Sequence, residues 1–155
     1  HSTSRRQRQM CIRDSVSPDG KYLLCTTTSY GTFPIWHKDA DLCMFDLSTG
    51  TQVPTEEANS PDTDSYHSWS SNSKWVVFSS RRLDGLYTRP FIAHVGEGGI
   101  LSKPFVLPQK STDYYTLLTK SYNIPEFVKG KVKTDTYKLV SQIKEGKNRK
   151  ISFIK

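Results

Sequence analysis

One segment occurs twice in this chain, about 53 residues apart. Ser15-Val16-Ser17-Pro18-Asp19-Gly20-Lys21-Tyr22-Leu23-Leu24-Cys25-Thr26-Thr27 returns as Ser68-Trp69-Ser70-Ser71-Asn72-Ser73-Lys74-Trp75-Val76-Val77-Phe78-Ser79-Ser80. Both copies run from a small polar turn through Lys, an aromatic and three apolar residues to Ser or Thr. A period of this length points to repeated supersecondary units, stacked or arranged radially. Such a unit cannot bury its faces alone and needs a neighbour on each side.

The strand and turn signals between 17 and 108 are all β. Pro18 presets its own φ and Gly20 takes a positive φ at little cost, so 17–20 is a tight turn. Strands are expected at 21–28, 41–47 and 51–54 in the first copy, and at 74–80, 86–95 and 103–108 in the second. Val53-Pro54 and Leu107-Pro108 close the two copies alike, each stopped by proline. Each unit thus holds three or four short antiparallel strands, the content of one propeller blade. The expected fold class is all-β: two blades, 14–58 and 59–108, followed by a mixed extension, 109–155. Within that extension 136–145 reads as a short amphipathic helix carrying Tyr137, Val140 and Ile143, and 151–154 as a final strand.

Charge divides along the same boundaries. The chain carries 22 Lys and Arg against 15 Asp and Glu. Residues 1–13 hold four arginines and no acid, 14–108 hold seven basic and eleven acidic side chains, and 109–155 hold eleven and four. The basic balance therefore belongs to the two ends and the repeats are mildly acidic. Nucleic-acid binding needs basic residues gathered on a folded face among stacking aromatics, and this distribution argues against it. The tail lysines, Lys129, Lys131, Lys133, Lys147 and Lys150, read as a solubilising surface rather than a lipid-binding one. No run of apolar residues is long enough to span a bilayer. Residues 1–13 show neither period nor turn chemistry. Gln9-Met10-Cys11-Ile12-Arg13-Asp14-Ser15 resembles translated sequencing-adapter text, so 1–13 is set aside as a non-native stub, with earlier blades of the same chain expected to be missing.

The turn Ser17-Pro18-Asp19-Gly20-Lys21 before Tyr22-Leu23-Leu24, with Asp46-Leu47-Ser48-Thr49-Gly50 after the next strand, resembles the WD-like repeat of TolB-like β-propellers. The second copy departs from it, with Ser70-Ser71-Asn72-Ser73 and Val95-Gly96-Glu97-Gly98 at the two turns. The resemblance covers 15–108, about three fifths of the chain, and is specific for fold rather than function. Tyr66-His67-Ser68-Trp69-Ser70, Phe78-Ser79-Ser80-Arg81-Arg82 and Gly85-Leu86-Tyr87-Thr88-Arg89 are similar to a Bacteroidetes-type envelope subgroup. That resemblance implies the periplasm or the outer envelope, and a non-catalytic scaffold engaging a protein or glycan through its blade loops.

Four residues form the expected contact surface: Arg81, Arg82, Tyr87 and His67. Arg81 and Arg82 follow a strand end, where paired guanidinium groups either meet a partner's carboxylate or phosphate, or pair with Asp84 or Asp64. Asp62, Asp64 and His67 supply three metal ligands on paper, but Asp and Ser before a strand are ordinary turn residues, so no metal and no cofactor is expected. Ser79, Ser80 and His94 lack any Gly-x-Ser-x-Gly elbow, and no catalytic residue is assigned. The alternatives are a propeller from a prolyl-oligopeptidase-like serine peptidase whose catalytic domain is absent, or from a metal-dependent propeller lyase. Cys25 and Cys43 read as small buried hydrophobes on adjacent strands, with pairing between them left open. Trp69 and Trp75 are expected on the same face, at least one of them in the core.

Overall fold

A computed structural model describes residues 10–29, 32–131, 133 and 135–145, with the backbone alone at 10–13. It contains two four-stranded antiparallel sheets, each in simple sequential order. Sheet A is β1 (Met10–Val16), β2 (Tyr22–Thr28), β3 (Asp41–Asp46) and β4 (Thr51–Val53). Sheet B is β5 (Asp64–Trp69), β6 (Trp75–Ser80), β7 (Arg89–His94) and β8 (Phe105–Val106). The all-β expectation holds, with two short helices added in the extension, α1 (Tyr114–Leu117) and α2 (Thr136–Glu145).

The repeat reaches further back than the sequence suggested. β1 begins at Met10, inside the segment set aside as a stub, and Met10, Cys11 and Ile12 pair with Thr28, Thr27 and Thr26. Both first strands even carry the same irregularity, between Ile12 and Ser15 in β1 and between Ser65 and Ser68 in β5. Neither β1 nor β5 has an apolar alternation that would announce it. In the second copy the strand expected from Leu86 starts only at Arg89, because the Leu86 and Tyr87 amides turn back onto the Asp84 carboxylate. The strand expected at 151–154 lies outside the described residues.

The core lies between the sheets. Leu24, Leu42, Met44 and Val53 of sheet A meet Val76, Phe78, Phe91 and Ala93 of sheet B. Phe78 and Phe91 are cross-strand partners whose rings stack at 6.3 Å between centroids. Trp69 packs on this cluster, whereas Trp75 lies on the opposite face, edge-on to His94. The two tryptophans are therefore not on one face: Trp69 opposes Val76, which turns its neighbour Trp75 away.

Residues 107–127 lie against the far face of sheet B. The Ser79 hydroxyl donates to the carbonyls of Tyr122 and Asn123 at 2.7 and 3.0 Å. The Arg89 side chain, 1% exposed, donates to the carbonyls of Tyr115, Leu118 and Lys120. These are carbonyls at and beyond the end of α1, which lack partners within the helix, and a guanidinium satisfies several at once. Helix α2 occupies the expected range, but Tyr137, Leu139, Val140 and Ile143 are all exposed. No helix among the described residues is long and apolar enough to cross a membrane.

Candidate functional site

Three loops gather at one end of the paired sheets: 32–40 leading into β3, 54–63 between β4 and β5, and 81–88 between β6 and β7. Their backbones are cross-linked. The Thr63 hydroxyl donates to the Pro34 carbonyl at 2.9 Å, the Asp64 amide to the Ala40 carbonyl at 2.7 Å, and the Arg81 amide to the Thr63 carbonyl at 3.3 Å. Pro34 opens a single 3-10 turn, Pro34–Trp36, which buries Ile35 and leaves Trp36 73% exposed.

A cleft of about 240 Å³ opens where this turn meets the other elements. Its walls are Ile35 and Trp36, Arg81 and Leu86 with Thr88, and Ser121 with Asn123 from the extension. Leu86 is 72% exposed. A large, projecting Trp and Leu facing one another across a depression carry a solvation cost that a bound partner removes.

The arginines expected at this rim behave differently from one another. Arg81 forms one wall, its guanidinium 5.7 Å from the Trp36 ring centroid and its Nε 3.4 Å from an Asp62 oxygen, within ion-pair distance but not aligned as a hydrogen bond. Arg82 turns inward. Its Nη2 donates to Asp64 and to the Ala58 carbonyl, each at 2.7 Å, and its Nε to the Ser80 hydroxyl at 2.9 Å. The same guanidinium lies 4.7 Å from the Phe91 ring centroid, at the edge of the core. Asp64 is fully buried, and its second oxygen accepts from the Ser60 amide and hydroxyl. Of the two pairings weighed for this dipeptide, Arg82 with Asp64 is the one formed, while Asp84 lies 3.5 Å from Arg89. Both rim arginines thus have a carboxylate partner, so the rim offers no uncompensated pair of cations.

Tyr87 is half-buried beneath the Arg89 guanidinium, 5.0 Å from its ring centroid. His67 is buried three residues inside β5 and stands apart from the cleft lining. Among the described residues no three His, Cys, Asp or Glu side chains converge as a metal site. Ser79 opposes Pro90 and His94 opposes Trp75, so this serine and histidine sit at different levels of the sheet, about 13 Å apart along the strands. Asp41, where the first loop re-enters sheet A, has a raised pKa: burial, then the charges of Asp64 and Asp39, push it up to about 6.

Sequence reading found Arg81 but missed Ile35, Trp36, Leu86, Ser121 and Asn123. A tryptophan in a loop was the available signal, since aromatic anchors of this kind concentrate at interfaces. No protein-family model matches the chain, and no curated protein matches it.

Proposed function

We propose that the two sheets are successive blades of a TolB-like β-propeller, and that the module is a non-catalytic binding scaffold of a bacterial envelope. It holds a partner protein through the cleft between Trp36 and Leu86. Two copies of one sequential strand order, sharing one core, support the blade reading. The envelope location rests on the sequence resemblance.

The observation that carries the binding reading is the cleft itself. Its volume of about 240 Å³ falls below the roughly 300–1,000 Å³ of small-molecule sites. Ile35, Trp36 and Leu86 give it an apolar side, and Arg81, Thr88, Ser121 and Asn123 line the rest. That is room for one apolar side chain, the anchor-in-pocket arrangement of protein interfaces. A glycan would need polar groups spread along an open groove, and Arg81 here is already engaged by Asp62.

Selection of a random peptide library on the purified chain tests this. Enriched peptides are expected to share an apolar or aromatic anchor and to lose at least tenfold in affinity on Trp36→Ala or Leu86→Ser. Peptides that bind both variants as well as wild type, or binding confined to a glycan array, would overturn the reading.

A further inference from the structure

The polar side of the Trp36 cleft holds hydrogen-bond donors that the fold does not use. Arg81 is fixed there from several sides. Its amide donates to the Thr63 carbonyl at 3.3 Å, and its own carbonyl accepts from the Gly85 amide at 2.8 Å. Its guanidinium lies 5.7 Å from the Trp36 ring centroid, with Nε 3.4 Å from Asp62 Oδ1. Asp62 is fixed in turn, since the same oxygen accepts from the Thr63 amide at 2.8 Å. The Arg81 side chain is only 12% exposed.

Asp62 balances the charge of Arg81 but takes none of its terminal donors. Among the described residues, Nη1 and Nη2 of Arg81 and Nδ2 of Asn123 donate no hydrogen bond. Asn123 Oδ1 already accepts from the Thr88 hydroxyl at 3.0 Å. None of the described walls is acidic. The nitrogens that line the cleft therefore only donate, and an occupant has to bring an acceptor to them. It also has to bring an apolar group to Ile35, Trp36 and Leu86. Both requirements fall within about 240 Å³, so one residue of the partner meets them.

The two N–H groups at the end of a guanidinium match the two oxygens of a carboxylate, and an ionised acceptor makes a bond about twice as strong as a neutral one. An acidic side chain would place its carboxylate where the apolar group belongs. A chain terminus carries an apolar side chain and a carboxylate on one carbon. We propose that the cleft takes the C-terminal residue of a partner chain, its apolar side chain between Trp36 and Leu86 and its free carboxylate on the Nη groups of Arg81. This rests on the binding reading above and specifies which part of the partner is held. Asp62 sets the strength of the grip: it orients Arg81, and its charge opposes a second carboxylate beside it.

The test is calorimetric titration of the full chain with acetyl-Ala-Ala-Ala-Leu and acetyl-Ala-Ala-Ala-Phe, each as the free acid and as the C-terminal amide. The acids are expected to bind about tenfold tighter, the order contributed by one charge-assisted hydrogen bond. Arg81→Gln should abolish that preference. Asp62→Asn keeps the acceptor for the Thr63 amide and should raise the preference about threefold, the order of one weak ion pair. Lost folding cannot move the preference in opposite directions in the two variants. Acid and amide binding alike to the wild type would overturn the terminus and leave the anchor reading standing. A preference that survives Arg81→Gln would also overturn it, as would N-acetylleucine binding as tightly as the peptide acid, since a small carboxylic acid would then be the occupant. Binding by none of these peptides would overturn it too, and the library selection would then decide the anchor reading alone.

Discussion

The Ser73 hydroxyl accepts a hydrogen bond from the Asp19 amide at 3.0 Å, joining the two copies of the repeated turn across the sheets. Ser73 holds φ at 60°, where the first copy has Gly20 at 74°. A left-handed conformation costs a non-glycine residue about 1–2 kcal/mol, and one neutral hydrogen bond returns about 1 kcal/mol. Ser73→Ala should therefore cost about 1 kcal/mol in urea unfolding, since it loses the bond and keeps the strain. Ser73→Gly loses the same bond but relieves the strain, and should stay within about 0.5 kcal/mol of wild type. An alanine variant as stable as the glycine one would remove this account of the turn.

Asp64 and Arg82 form a nearly buried pair beneath the cleft, with side chains 0% and 17% exposed. Removing one partner leaves the other charge uncompensated, which costs about 3–5 kcal/mol at such sites. Asp64→Leu and Arg82→Met should each lower stability by that order. The combination Asp64→Leu with Arg82→Met should lose much less than the sum, because no charge stays stranded. Equilibrium unfolding of the four proteins closes the cycle, and additive losses would mean that the pair acts independently.

The strands that could be read from the chain were those whose apolar residues stand between strong turns: β2, β3, β4, β6, β7 and β8, with only the start of β7 placed too early. β1 escaped because residues 1–13 were set aside as a stub, and β5 because Asp64-Ser65-Tyr66-His67-Ser68-Trp69 is polar by composition. It is buried through hydrogen bonds and by its place between the sheets. The candidate site was less legible. Arg81 lies beside a strand end and drew notice, but its cleft is assembled from residues 35 to 123, a distance no local pattern spans. The segment 115–123 of the extension had no period to betray its packing, since Arg89 and Ser79 hold it through backbone carbonyls, which every residue has.

Asp41 gives the fold a pH dependence of identifiable sign. Burial first, then Asp64 and Asp39, raise its pKa from 3.8 to about 6. The folded state thus binds a proton more tightly than the unfolded chain between about pH 4 and pH 6. Stability from this group falls as pH rises through that window and stays lower above it. Asp19 and Asp46 act oppositely: hydrogen bonds from Ser17 and Ser48 hold them below 3.8, and their contribution is lost in acid. Asp41→Asn should stabilise the protein at pH 7.5 by about 1 kcal/mol, the shift being discounted because the carboxyl is half-exposed and screened. At pH 4 it should have little effect. Equal gains at both pH values in thermal melts would show that charge is not the cause.

Cys25 and Cys43 are direct cross-strand partners of β2 and β3, both buried and not joined by a disulfide. The Cys25 thiol donates to the Cys43 backbone carbonyl at 3.5 Å, and a side-chain hydrogen bond from Cys25 holds the Cys43 thiol below the usual range. Directly opposed strand residues stand about 4.5–5.5 Å apart at Cα, inside the roughly 4.4–6.8 Å that a disulfide spans. Thiolate attack by Cys43 on a disulfide oxidant, then displacement by Cys25, transfers two electrons to the oxidant and releases its two thiols. Burial makes this slow in the folded protein, so the bond should form during refolding in oxidised glutathione. In a Cys11→Ser background the mass should drop by about 2 Da and stability should rise by about 2–3 kcal/mol, as expected for a short closed loop. Cys25→Ser should abolish both changes. An unchanged mass after oxidative refolding, or a bond found only between copies, would show that the sheet holds the two sulfurs out of bonding geometry.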